Sequence, residues 1–476
     1  FIKRKVGPKK WKKTFRVQTP DDLKAYERAV SLVKKENFQG SELIPREQRY
    51  KGPADRSVIY GVTHWDKFFN ARQLLTHATY LHYILAAKDK IVKEYWKKER
   101  ERALAITTYL ALIFDKCLDY NALSSVWDSS FLKVGHTFDR HDFAFIWSYG
   151  EMPIPDLGFE WAVDQVVDSY KGLCSLLDGV DASNVQVCLG SSMDLSYVKG
   201  PVDAVIVDPP YYANVMYGEL SDFFYVWMKR IVGDLYHGFE THLTDKDGEI
   251  VANSARFKDL GVSADAKARE DYRRKMTRTF HEIHRILKSD GILTVMFTHK
   301  ATEAWDTLAT ALIEAGFQIK RSWPIRTESE HSLHIAKKNA VKSTILLVAR
   351  KRECEALRGW WEQDVYPEIE KVAEEKAVEF EGRGIGGVDL YISTFGPVLE
   401  VFSRYSEVKS PFLKPEEALI KPETALDVAR KVATNRTFQR LVPSGATGID
   451  EATRFYILAM KFYRARQFPF DEARKL

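Results

Sequence analysis

Residues 202–232 read VDAVIVDPPYYANVMYGELSDFFYVWMKRIV, and the fold class turns on how this stretch divides. DAVIVD (203–208) is a short apolar run rich in β-branched residues and ends on an acid. ELSDFFYVWMKRIV (219–232) carries its apolar residues at helical spacing. Between them lies Asp208-Pro209-Pro210-Tyr211, where two prolines fix φ and stop the chain from relaxing into a helix. A strand, a rigid turn and a helix, in that order, predict a β/α unit.

The pattern repeats outward. QVCLG (186–190), GILTVMF (291–297), FQIKRSWPI (317–325) and STILLVAR (343–350) are further β-rich apolar runs. REDYRRKMTRTFHEIHRILK (269–288) and ATEAWDTLATALIEAG (301–316) read as helices between them. Such alternation predicts parallel crossovers and an α/β sheet covered on both faces. On either side the chain reads as mainly helical, at 21–35, 71–118, 160–177 and 360–380. The expected organisation is a helical, basic N-terminal region (1–184), a sheet region carrying the Asp-Pro-Pro-Tyr turn (185–352) and a helical C-terminal region (353–476).

Composition excludes several classes. With 476 residues, 45% hydrophobic and 29% charged, the chain has ample material for a packed core. It has no apolar run of the ~20 residues that span a bilayer, and no signal-peptide core, which predicts a cytoplasmic protein. Cys117, Cys174, Cys188 and Cys354 are scattered and form no C-x-x-C pair, so no metal site is expected from them. His281 and His284 are expected to be a helix-surface pair rather than metal ligands. The net charge of +5 (71 basic, 66 acidic residues) is mild, but residues 1–16 hold eight Lys or Arg and no acid. Such a segment suits a polyphosphate backbone; a solvated tail is the alternative. Phe1 is no start residue, which predicts that residues precede it in the native protein.

The turn carries the expected chemistry. An acid at the carboxyl end of a parallel strand lies where open α/β sheets place their ligands. The adenine N6 lone pair is delocalised into the ring, so the amine is a weak nucleophile. Asp208 and the Pro209 carbonyl could accept its two N–H bonds and localise that lone pair toward an incoming methyl group. Tyr211 would stack on a base turned out of its helix. The methyl donor would be S-adenosylmethionine. A serine in place of Asp208 would favour cytosine N4; the aspartate favours adenine N6.

VDAVIVDPPYYANVMYGELSDFFYVWMKR, RILKSDGILTVMFTHK and SWPIRTE together resemble a prokaryotic family of adenine-specific DNA methylases, described as containing a zinc ribbon and found in phage-defence neighbourhoods. HWDKFFNARQLLTHATYL, LDYNALSSVWD, GIGGVDLYISTFGPVLEVFSRY and DEATRFYILAMKFY resemble it too, so the likeness spans most of the chain. The resemblance implies a Rossmann-like class I methyltransferase sheet, incomplete in this chain, with Asp208, Pro209, Pro210 and Tyr211 as the amine-binding motif. It also implies cofactor contacts at Ser191, Ser192 or Asp194, and substrate contacts at Tyr212, Asn214, Glu219, Asp222, His299, Lys300 and Arg326. For Glu219 and Asp222 the competing reading is a pair of solvated helix carboxylates. For Arg326 it is an internal ion pair.

Two family features are missing. The glycine-rich D-P-F-x-G-x-G loop that approaches the methionine part of the cofactor is not found. Gly382-Arg-Gly-Ile-Gly-Gly387 satisfies G-x-G-x-x-G but follows an acidic helical pattern, with no helix expected directly after it, and reads as a plain loop. The zinc ribbon is absent as well. The sequence therefore predicts the catalytic half of a DNA adenine N6-methyltransferase, working with an N-terminal polypeptide or subunit that supplies the cofactor loop. An RNA base methyltransferase and a non-catalytic nucleic-acid-binding subunit remain open as alternatives.

Overall fold

A computed structural model describes residues 2–5, 11–35, 40–52, 56–138, 140–143, 145–260, 263–299, 301–326, 343–353, 357–442 and 448–463. They form two compact units, residues 1–187 with 215–249 and residues 188–214 with 250–476. The first unit is helical. Its opening hairpin pairs β1 (Ile2–Lys5) with β2 (Trp11–Thr14). Helix α1 (Pro20–Val33) starts at a capping box in which Thr19 accepts from Asp22 N and Asp22 answers to the Thr19 backbone. Asn70 and Gln73 make the same reciprocal pair at the start of α2 (Ala71–Tyr95), satisfying donors that a helix end leaves open. α3 (Arg100–Asp119), a two-residue hairpin of β3 (Trp127–Asp128) and β4 (Lys133–Val134), α4 (Phe159–Leu176) and α5 (Tyr217–Val232) complete the unit. Its core is largely aromatic, with Trp65, Phe68, Phe69, Phe114, Phe143, Phe223 and Trp227 all buried.

The second unit is built on a four-stranded mixed sheet. Its strands are β5 (Val202–Val207), β6 (Leu287–Phe297), β7 (Phe317–Arg326) and β8 (Ser343–Lys351), in the order β5-β6-β8-β7. β5 and β6 run parallel, with Ile206 beside Thr294; β8 is antiparallel to both its neighbours. Helices α6 (Ala264–Ile286), α7 (Thr302–Glu314), α8 (Tyr366–Gly382), α9 (Val388–Phe402), α10 (Pro422–Leu441) and α11 (Glu451–Tyr463) follow, with a small parallel pair of β9 (Leu357–Trp360) and β10 (Tyr405–Lys409). The chain is thus a mixed α/β protein with eleven helices among the described residues. None of the described helices is long and apolar enough to cross a membrane.

The two faces of this sheet differ. Leu293, Val295, Phe297, Ile345, Leu347, Ala349, Phe317 and Ile319 share one face and are fully buried in a single core with residues of α6 to α11. At roughly 1.5–3 kcal/mol for each large apolar side chain, that face dominates the unit's stability. Ala204, Ile206, Thr294, Met296 and Val348 point the other way and are half-buried or exposed, Ile206 to 79%. A sheet buried evenly on both faces was the sequence expectation, and the structure corrects it. The strands are apolar throughout, but only alternate residues meet the helical layer.

Two further expectations are corrected. QVCLG (186–190) forms no strand; Val187 and Leu189 are 90% and 83% exposed. A lone strand has no partner for its N–H and C=O groups, and among the described residues none pairs with this segment. Residues 383–387 are a loop, while Gly382 is the last residue of helix α8, so the run follows a helix rather than a strand. However, α9 opens directly behind it, at Val388, with Gly387 at φ +68.

Candidate functional site

The Asp208 turn leaves β5 at the outer edge of the described sheet, where among the described residues that strand has a neighbour on one side only. Asp208 is exposed and makes no hydrogen bond or ion pair with a described residue. Pro209 and Pro210 follow. The Pro210 carbonyl accepts twice, from the phenol of Tyr272 at 2.8 Å and from Tyr212 N at 2.9 Å. No described donor reaches the Pro209 carbonyl. Rigidity therefore comes from one carbonyl while its neighbour stays available beside the Asp208 carboxylate.

The two tyrosines of the turn are fixed from beneath. Tyr211 meets Phe297, the last residue of β6, edge-on at 5.5 Å. Phe297 in turn packs edge-on to Trp305 of α7. Tyr212 sits at φ +58, a left-handed conformation uncommon for a bulky residue. It is held there by its carbonyl, which accepts from Ala252 N at 3.1 Å, and by edge-on contacts with Tyr272 and His299. A backbone outlier enforced from several directions is where functional strain accumulates, at a cost of about 1–3 kcal/mol. Burial raises the Tyr212 phenol above its ordinary pKa, and nearby Arg269 partly offsets this. Asn214 closes the turn, its N–H donating to the Tyr211 carbonyl at 3.1 Å, with its side chain exposed.

His299 follows β6 and lies beside Tyr212, its ring centroid 5.8 Å away. Its Nδ1 accepts from Ala301 N at 3.0 Å, and its carbonyl accepts from the Trp305 indole at 2.8 Å. Lys300 lies outside the described residues. Arg326 ends β7 as the partner of Ser343 in the ladder, and its side chain is likewise outside them.

Ser191, Ser192 and Asp194 occupy a loop pinned to α6. Leu195 is buried, its N–H donates to Glu282 at 2.9 Å, and Arg278 donates to the Met193 carbonyl at 3.0 Å. Asp194 accepts from Ser196 N at 3.0 Å, which holds its carboxyl below the ordinary range. The Ser191 hydroxyl accepts from Met193 N and that of Ser192 faces Thr279. Both serines are exposed. They offer part of a polar edge to a ligand, not a complete cofactor cradle.

Glu219 and Asp222 belong to the helical unit and are buried there. Asp222 forms an ion pair with Lys246 at 2.7 Å and accepts from the Thr244 N–H and hydroxyl at 2.8 and 2.7 Å. Glu219 is covered by Gly52, where a Cβ would overlap its carboxylate. Only glycine permits that approach. Neither carboxylate is a solvated helix-surface group.

Sequence reading did not single out Tyr272, the residue that pins the turn. It lies inside a helical pattern, and no local motif distinguishes a core tyrosine from one whose hydroxyl reaches a distant carbonyl. Comparison with known protein families, curated proteins and solved structures found no match.

Proposed function

We propose that this chain is the catalytic, base-binding half of an S-adenosylmethionine-dependent DNA adenine N6-methyltransferase, acting in DNA modification or phage defence. The observation that carries the reading is the Asp208 turn, whose carboxylate and neighbouring Pro209 carbonyl have no partner among the described residues, with the Tyr211 ring beside them on a rigid backbone. Two acceptors side by side fit the two N–H groups of an exocyclic amine, and a flat ring fits the face of an extruded base. In this reading Asp208 and the Pro209 carbonyl draw the amine protons, the N6 lone pair is localised, and Asp208 or water takes the proton released. His299 and Tyr212 orient the turn from behind. The cofactor, when bound, supplies an electrophilic methyl group.

The sheet supports a Rossmann-like assignment in part, since the carboxylate ends a strand paired in parallel with its neighbour. The chain's own residues fit the methyl acceptor better than the donor. Ser191 and Ser192 are available, Asp194 is committed to Ser196, and no glycine-rich turn follows a strand among the described residues. The unpaired edge of β5 and the exposed Ile206 support completion of the sheet by a second polypeptide that carries the cofactor loop.

Calorimetric titration of S-adenosylmethionine into the purified chain, followed by labelled methyl transfer to DNA and to RNA, tests this reading. No cofactor binding by the chain alone, with N6-methylation of DNA once the second polypeptide is added, is the expected result. Micromolar binding by the chain alone would overturn the split cofactor site. Transfer to RNA only would overturn the DNA assignment.

A further inference from the structure

The helical unit holds a cavity of about 230 Å³ that the methyl-transfer reading does not use. Its lining includes Phe145, Trp147 and Tyr149, with Ser124 and Lys67 among its polar members. Trp147 is 87% exposed at a position held from both sides. Phe143 is buried in the aromatic core, while Tyr149 bridges Val126 and Gly150 N donates to the Ser125 carbonyl at 2.8 Å. Between these anchors Phe145 and Trp147 are exposed and Ile146 is half-buried. Tyr60 stacks on Phe145 at 4.5 Å, and Phe145 meets Trp147 at 5.0 Å and 90°. The result is a cluster of exposed aromatic rings beside an apolar slot.

We infer that this slot binds an unpaired nucleobase of a single-stranded nucleic acid, separately from any base held at Asp208. Three observations select that occupant. Leaving an indole exposed forfeits the largest apolar burial any side chain offers, whereas stacking one base on such a ring is worth about 1–3 kcal/mol. The hydroxyl of Ser124, a residue only 3% exposed, has no hydrogen-bond partner among the described residues, so a ligand with polar edge atoms satisfies what a purely apolar one leaves orphaned. The lining contains one cation and no carboxylate, which opposes a cationic ligand and favours one that carries phosphate. Lys67 has a largely exposed side chain and forms an ion pair with Asp66 at 3.4 Å, one that a phosphate in the slot would compete for.

Fluorescence anisotropy with a labelled, mixed-sequence single-stranded oligodeoxynucleotide tests the inference. No methyl donor is present, so the outcome is independent of the methyltransferase reading. Trp147→Leu, which keeps apolar bulk but loses the flat face, is expected to weaken binding roughly 5- to 150-fold, the cost of one lost stack. Trp147→Phe is expected to retain most of the affinity. Because Trp147 is exposed, both variants keep the fold, which circular dichroism checks. Equal binding by wild type and Trp147→Leu would overturn the site. Competition by free adenosine monophosphate as effective as that by unlabelled strand would overturn the strand assignment, and competition by inorganic polyphosphate alone would reduce it to charge attraction.

Discussion

Asp208 and Asp222 lie close in sequence, one in the turn after β5 and one on helix α5, yet the protein treats them in opposite ways. Asp222 is buried and answered by Lys246 and Thr244. Asp208 is exposed and unpaired among the described residues, while the turn around it is fixed through the Pro210 carbonyl, Tyr211 and Tyr212. A buried carboxylate neutralised by its own cation stabilises a fold; one held open on a rigid support is suited to a ligand. Residue type alone does not separate these roles, and partner count does.

The contrast can be broken most sharply on the buried side. Asp222→Ala leaves Lys246 buried without its counter-ion and is expected to cost about 3–5 kcal/mol, read as a lower denaturant midpoint. Replacing both residues, Asp222→Leu with Lys246→Met, is expected to recover much of that loss. Asp208→Ala is expected to do the reverse. Its midpoint should match the wild type, while methyl transfer by the complete enzyme falls about 10²- to 10³-fold.

A third probe uses His77, fully buried on α2 with Nε2 3.0 Å from the Asn121 carbonyl. Burial pulls its pKa from 6.5 to about 4, more than the carbonyl can offset. Between those values the unfolded chain binds the extra proton, so stability is complete above about pH 6.5 and is lost as pH falls toward 4. Roughly 3 kcal/mol is at stake. Urea midpoints across that window should fall for the wild type and flatten in His77→Gln. The smallest expected effect is Tyr272→Phe, which removes one hydrogen bond to the Pro210 carbonyl. It should cost about 1 kcal/mol of stability and, by loosening the turn, lower methyl transfer with stacking intact.

Much of the fold was legible because it rests on local period. The helical spacing of 71–118 yielded α2 and α3, and the apolar runs at 203–208, 291–297, 317–325 and 343–350 yielded β5 to β8. QVCLG misled because its composition is that of a strand while its pairing depends on a neighbour that no local pattern reports. The uncovered face misled for a related reason, since an all-apolar strand does not say which side receives helices. At the site, Asp208 to Tyr211 stood out as a motif. The phenol of Tyr272, the left-handed Tyr212 and the partners of Asp222 did not, because each depends on residues distant in sequence.

The activity proposed for the Asp208 turn is methyl transfer to adenine N6 in DNA. Mass-spectrometric measurement of N6-methyladenine in genomic DNA, from native cells carrying either the wild-type gene or Asp208→Ala at its own locus, tests it with every natural partner present. The modification is expected to disappear from a defined set of sites in the variant. Unchanged N6-methyladenine, with the variant protein present at wild-type abundance, would contradict it.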